Sequence, residues 1–150
     1  MEEVHDTYKL TGSLPEPTRC PQCRAVFHNG RWQWANEAPP GAHEQICSAC
    51  HRVNDNYPAG EVTLSGSFVQ QHKDEIMRLA RNIESAENEE HPQNRIMAVV
   101  DSGPAVVLTT TDVHLPRRIG KAVQQAFEGK LEIHFDKGGY FCRVTWEREH

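Results

Sequence analysis

The chain has 150 residues, of which 37% are hydrophobic and 25% charged, with a formal net charge of −5. This is a globular composition, not a disordered one, and the acidic balance excludes a surface that attracts phosphate backbones indiscriminately, so any nucleic-acid contact must use a local basic patch. No run of 18 apolar residues occurs, and the start Met1-Glu-Glu-Val-His-Asp-Thr-Tyr-Lys9 is no basic-then-apolar leader, which predicts a soluble, cytoplasmic protein without a membrane partner.

In chain order, residues 1–19 read as an extended arm. Cys20-Pro-Gln-Cys23 and Cys47-Ser-Ala-Cys50 then hold four of the five cysteines, with 23 residues between them. In a reducing compartment such pairs serve as metal ligands sooner than as disulfides. Four thiolates close a tetrahedral shell around Zn²⁺ and leave no open position for water or substrate, which points to structure and recognition before catalysis. Between the pairs, Val26-Phe27-His28 and Arg31-Trp32-Gln33-Trp34 flank Asn29-Gly30, the strongest short signal for a type I′ hairpin, and Glu37-Ala-Pro-Pro-Gly41 makes a loop. A zinc ribbon over 20–60 follows, with too little core to fold without its metal.

The same cysteines admit other chemistry. Cys47-Ser-Ala-Cys50-His51 matches the c-type haem attachment pattern. A thiol redox site would need a reactive thiolate near a helix N-terminus, whereas these pairs read as bordering hairpins. His28, His43 and His51 read as surface residues or outer neighbours of a complete Cys₄ shell. Trp32 and Trp34, beside Phe27, can pack over the metal site or stack on nucleic-acid bases.

From Glu61 the pattern is regular. Val62, Leu64 and Gly66 alternate with polar residues as a half-buried strand. Ser67 and Gln70 look like a capping box, opening a helix with Val69, Ile76, Leu79, Ala80 and Ile83 on one stripe, which ends before His91-Pro92. Arg95 to Val100 and Ala105 to Thr110, joined by Asp101-Ser-Gly-Pro104, form a hairpin. Asp112 or Thr111 caps a second helix with the stripe Leu115, Ile119, Val123, Ala126 and Phe127, closed by Gly129. Leu131, Ile133 and Phe135 alternate into another strand, and Lys137-Gly-Gly139 turns into a last one from Tyr140 to Trp146, in which Cys142 is a small core hydrophobe. The order β-α-β-β-α-β-β over 61–148 predicts an α+β, ferredoxin-like domain: two helices on one face of an antiparallel sheet, with an extra C-terminal strand.

Arg117-Arg118-Ile119-Gly120-Lys121 places three cations in the first half of the second helix, where backbone donors already favour anions. Lys73, Arg78 and Arg81 would extend this patch if the helices lay side by side. His114 near Asp112 has no accompanying nucleophile, and no phosphate-cradling loop, nucleophile elbow or metalloprotease helix is present, so no catalytic residue and no small-molecule substrate is expected.

Across nearly its full length the chain resembles a family of small uncharacterised bacterial zinc-ribbon proteins. The resemblance rests on Leu14-Pro-Glu-Pro-Thr-Arg-Cys-Pro-Gln-Cys23, Val26-Phe-His-Asn-Gly-Arg-Trp-Gln-Trp34, Tyr57-Pro-Ala-Gly60, Leu64-Ser-Gly66, Thr109-Thr-Thr-Asp-Val-His-Leu115 and Val144-Thr-Trp-Glu-Arg148. More remotely, Cys20, Cys23, Cys47, Cys50 and the element order are similar to the N-terminal zinc-binding region of the archaeal and eukaryotic large-ribosomal-subunit export adaptor. The expectation is a non-enzymatic zinc factor that associates with RNA or the ribosome in translation or stress, through Arg117, Arg118, Lys121, Trp32 and Trp34. The alternatives are a protein–protein adaptor using the ribbon and arm, and a thiol redox protein.

Overall fold

The computed structural model describes residues 14–136 and 138–150; most of the expected arm, residues 1–13, and Lys137 of the expected turn lie outside them. The fold is α+β, with two sheets and three helices among the described residues. No helix among them is long and apolar enough to cross a membrane.

The first sheet is small: β1 (Thr18–Arg19), β2 (Val26–His28), β3 (Arg31–Gln33) and β4 (His43–Glu44), in the order β3-β2-β1-β4. Asn29 and Gly30 have φ of 55° and 79°, the two positive values that a type I′ turn requires, so the β2–β3 hairpin forms where the sequence places it. Thr18 and Arg19, assigned to the arm from sequence, form an interior strand that pairs with β2 on one side and β4 on the other.

The next element was not expected. Helix α1 (Ser48–Asp55) starts at the second cysteine pair, with Cys47 as its N-cap, and ends at Asn56 in the left-handed conformation. The second pair therefore opens a helix instead of bordering a hairpin. The cap explains the change: Cys47 Sγ accepts from the Cys50 N–H at 3.4 Å, the geometry in which a side chain satisfies a free donor of the first turn.

The larger unit runs β5 (Gly60–Ser65), α2 (Ser67–Glu90), β6 (Ile96–Asp101), β7 (Ala105–Thr110), α3 (His114–Phe127), β8 (Lys130–Phe135) and β9 (Cys142–Glu147). Its core lies between the sheet and the two helices: Val62 and Leu64 of β5, Val106 and Leu108 of β7, and Val144 and Trp146 of β9 meet Val69, Ile76 and Ala80 of α2 and Leu115, Ile119 and Val123 of α3. At Gly120 the helix approaches so closely that a Cβ would lie 2.6 Å from Val144 Cγ1, which makes glycine a packing requirement there.

The element order is the expected one, but the sheet is mixed, not the antiparallel sheet expected of a ferredoxin-like domain. Its strand order is β6-β7-β5-β9-β8, and β9 runs parallel to β5. The last strand thus enters between β5 and β8 instead of extending an edge. Burial accounts for the placement: Cys142, Val144 and Trp146 are all fully buried, whereas Lys130, Glu132 and His134 leave β8 suited to an edge.

One of the two helix caps also differs. Ser67 and Gln70 form no capping box: Gly66 is the N-cap without a side-chain bond, the Ser67 hydroxyl bonds the Glu149 carbonyl, and Gln70 reaches Gly103 O at 3.1 Å. Asp112 does serve the second helix, its Oδ2 accepting from the backbone of His114 at 2.8 Å and Leu115 at 3.1 Å.

Candidate metal centre and cationic cleft

Each of the four cysteines is positioned by local backbone geometry. After Cys20 the chain turns back on itself, with Arg24 N donating to Cys20 O and Cys20 N to Ala25 O, and Arg24 in the left-handed region. The side chains of Gln22 and Asn54 exchange two hydrogen bonds, of 3.0 and 2.9 Å, tying this turn to α1. Cys20, Cys23, Cys47 and Cys50 come together with all four sulfurs within 4.8 Å of one another and no disulfide among them.

The sulfurs of Cys20 and Cys50, and those of Cys23 and Cys47, are 3.8 Å apart. A regular tetrahedron of thiolates about 2.3 Å from an ion has an edge of about 3.8 Å. The surroundings also suit thiolates. Cys47 N donates to Cys20 Sγ at 3.4 Å, and Arg95, from the larger unit, sends Nη1 to Cys50 Sγ at 3.4 Å and Nη2 to Cys47 Sγ at 3.7 Å. Cys47 is held down to about 4, first by its hydrogen bond with Cys23 and then, against burial, by the Cys50 backbone, the Gln93 amide and the Arg95 charge. Gln93 Nε2 is buried with no hydrogen-bond partner among the described residues. The hydrogen bond with Cys47 pushes Cys23 well above the ordinary thiol, and burial does the same to Cys50. Burial opposes the Arg95 charge, but the sulfurs of Cys50, Cys23 and Cys47 more than offset it. A half-buried guanidinium that donates to two of the sulfurs is a partner a bound metal thiolate centre needs, so the residues fit a metal of tetrahedral, sulfur-preferring coordination.

The cysteine-bearing unit and the larger unit meet here. Gln93 Oε1 accepts from Ser48 Oγ at 2.8 Å and Ala49 N at 3.0 Å at the start of α1, and Trp34 Nε1 donates to Asn88 O at 2.7 Å on α2. Trp32 packs on the cysteine cluster and stands edge-on to Phe27 at 5.5 Å. Of the two tryptophans, Trp34 is the more exposed.

Arg117, Arg118 and Lys121 do come together, along a cleft of about 630 Å³ whose other walls are Glu87, His91, Asn94 and His114. They are not equivalent. Arg118 Nε is 3.0 Å from Glu87 Oε2, whose other oxygen accepts from Asn94 at 3.0 Å; the Arg117 guanidinium lies 5.7 Å from the Phe135 ring centre; Lys121 has no partner among the described residues. Lys73, Arg78 and Arg81 do not line the cleft, and two of them are engaged elsewhere, Lys73 with Asp101 and Arg81 with Glu84. His91 and His114 are cleft residues that sequence reasoning used as a helix end and as a neighbour of a cap. His114 stands one turn before Arg117 and Arg118 on α3 itself, whereas only the packing of α2 against α3 brings His91 beside the three cations.

These features define a class: a small α+β protein with a four-cysteine candidate metal centre at the junction of two sheets and a cationic cleft alongside. No protein-family model matches the chain, and no curated protein or solved structure matches it significantly.

Proposed function

We propose that this chain is a non-enzymatic factor in which Zn²⁺, held by Cys20, Cys23, Cys47 and Cys50, staples a ribbon to an α+β domain that binds RNA, free or within the ribosome. A complete thiolate set offers no open position for substrate, so the metal's role is to fold and orient the ribbon. The observation that carries the binding reading is the cleft, where three cations and two imidazoles face one carboxylate at the N-terminal half of a 14-residue helix. Phosphates are the anions such a groove suits, and a local patch answers the acidic net charge. Trp32 is committed to packing over the cysteines and Trp34 to α2, which leaves phosphate contact, not base stacking, as the main source of affinity.

Anisotropy titration of labelled single-stranded RNA tests this. The logarithm of affinity should fall with the logarithm of salt with a slope of about −2, since each phosphate contact contributes about −0.7. The double variant Arg117→Glu, Lys121→Glu should lose at least about tenfold in affinity and flatten the slope. No association at low salt, or affinity indifferent to that variant, defeats the reading.

One observation favours a protein partner as the second reading. Among the described residues, strand β6 is a sheet edge with its outer side unpaired; it exposes Val99 and Val100 and carries no lysine or proline to block pairing. A nuclease-insensitive pull-down lost in Val100→Lys would support it.

A further inference from the structure

The short segment 91–95, between α2 and β6, touches both sites at once. His91 and Asn94 line the cleft, and Asn94 Nδ2 holds Glu87, the carboxylate that pairs with Arg118. Gln93 and Arg95 serve the other side: Gln93 grips the start of α1 through Ser48 and Ala49, and Arg95 reaches the sulfurs of Cys47 and Cys50. Buried Thr111 pins the segment, its Oγ1 donating to Gln93 O at 2.6 Å and accepting from Arg95 N at 2.9 Å while its own N–H donates to Arg95 O. Five residues with contacts on both sides leave little slack for one side to move alone.

We infer that zinc occupancy of the cysteine centre sets the geometry of the cationic cleft through segment 91–95, so that the metal-loaded chain binds RNA phosphates more tightly than the metal-free chain. The inference rests on the RNA-binding reading of the cleft. A four-thiolate zinc centre carries a net charge of about −2, and Arg95 is the cation placed to face it. When the metal leaves, nothing bridges the four sulfurs, and Cys47, the N-cap of α1, loses its tie to the first cysteine pair. Gln93 then loses Ser48 and Ala49, Arg95 keeps only the Pro92 carbonyl that its Nε already bonds, and Asn94 no longer fixes Glu87 on Arg118, which leaves that carboxylate free to compete with phosphate for Arg117 and Lys121 in the same cleft. Coupling of this kind is reciprocal: bound RNA must hold zinc more tightly by the same factor that zinc strengthens RNA binding, about 5- to 150-fold.

The test uses the full chain, a fluorescein-labelled oligouridylate and a colorimetric zinc chelator, with amide spectra of Val144 and Trp146 reporting that the larger sheet is intact. Stripped wild type should bind the oligonucleotide about 5- to 150-fold more weakly than loaded wild type. Arg95→Met should still take up one zinc, release it about 10- to 100-fold faster, and bind RNA at nearly the stripped level even when loaded. Saturating oligonucleotide should slow zinc release from wild type but not from Arg95→Met. Arg78→Met, which removes the same charge from an exposed position on α2, should behave as wild type in both assays; if it behaves as Arg95→Met, bulk charge and not the segment is responsible. Equal RNA affinity of loaded and stripped chains with the sheet intact overturns the coupling and leaves the cleft standing. Failure of the loaded wild type to bind RNA overturns the functional reading itself.

Discussion

Cys47→Ser should abolish tight zinc binding and unfold the ribbon while leaving the larger sheet in place. Cys47 is fully buried and serves three partners: Cys23 at 3.8 Å, the N-terminus of α1, and Arg95. Serine retains the capping oxygen that a helix start prefers, so the substitution separates loss of a metal ligand from loss of a cap. What remains to hold the ribbon is slight. Among the described residues, its buried cluster consists of Cys20, Cys47, Ala49 and Cys50, with Cys23, Trp32 and Ile46 packed around them. A module of that size cannot offset its chain entropy by apolar burial alone, and structural zinc typically supplies an apparent 10–16 kcal/mol (about the whole of such a module's folding free energy) at neutral pH. Amide hydrogen exchange should show residues 18–56 exchanging freely in the variant while β5, β7 and β9 stay protected. Protection of the ribbon in a zinc-free Cys47→Ser chain would mean that the hairpin and α1 stand without metal.

The second large effect lies in the larger unit, where Trp146→Ala should cost about 3–5 kcal/mol in urea denaturation of the zinc-loaded protein. Trp146 is the largest fully buried side chain, on the strand that enters between β5 and β8. Its ring meets Phe68 of α2 at 6.2 Å between centres, and its Nε1 donates to the Glu128 carbonyl just after α3, so it joins both helices to the sheet. Trp146→Phe keeps most of the apolar contact and loses the hydrogen bond, for a smaller cost of about 1–2 kcal/mol. A cost below about 1 kcal/mol for the alanine variant would contradict the interior position of β9.

Much of this architecture is legible in residue order. The two cysteine pairs define the candidate metal-ligand set, Asn29-Gly30 the first hairpin, and the stripes of α2 and α3 the faces that bury against the sheet, because each rests on a local period, spacing or turn preference. Helix α1 is hidden: its eight residues include Asn54 and Asp55, carry few apolar side chains, and form a helix only because Cys47 caps them within the cysteine cluster. The place of β9 is equally invisible in order of elements, since alternation makes a strand but does not choose its neighbours. The cationic cleft was half legible. The run from Arg117 to Lys121 is plain in the chain, but Glu87, His91 and Asn94 join it across a helix–helix packing that no local signal encodes. Arg95 is the sharpest case: in sequence it is the first residue of a strand, and its contact with two cysteines about 45 residues upstream exists only because the ribbon docks on segment 91–95.

The central claim is that four cysteines form one closed metal centre on which the ribbon depends. X-ray absorption at the zinc edge of the protein purified without added metal tests it most directly. The result this account predicts is one zinc per chain surrounded by four sulfurs at about 2.3 Å, with no nitrogen or oxygen ligand. A shell containing a histidine nitrogen or a water oxygen, or a chain that holds no zinc while its ribbon amides remain protected, would contradict it.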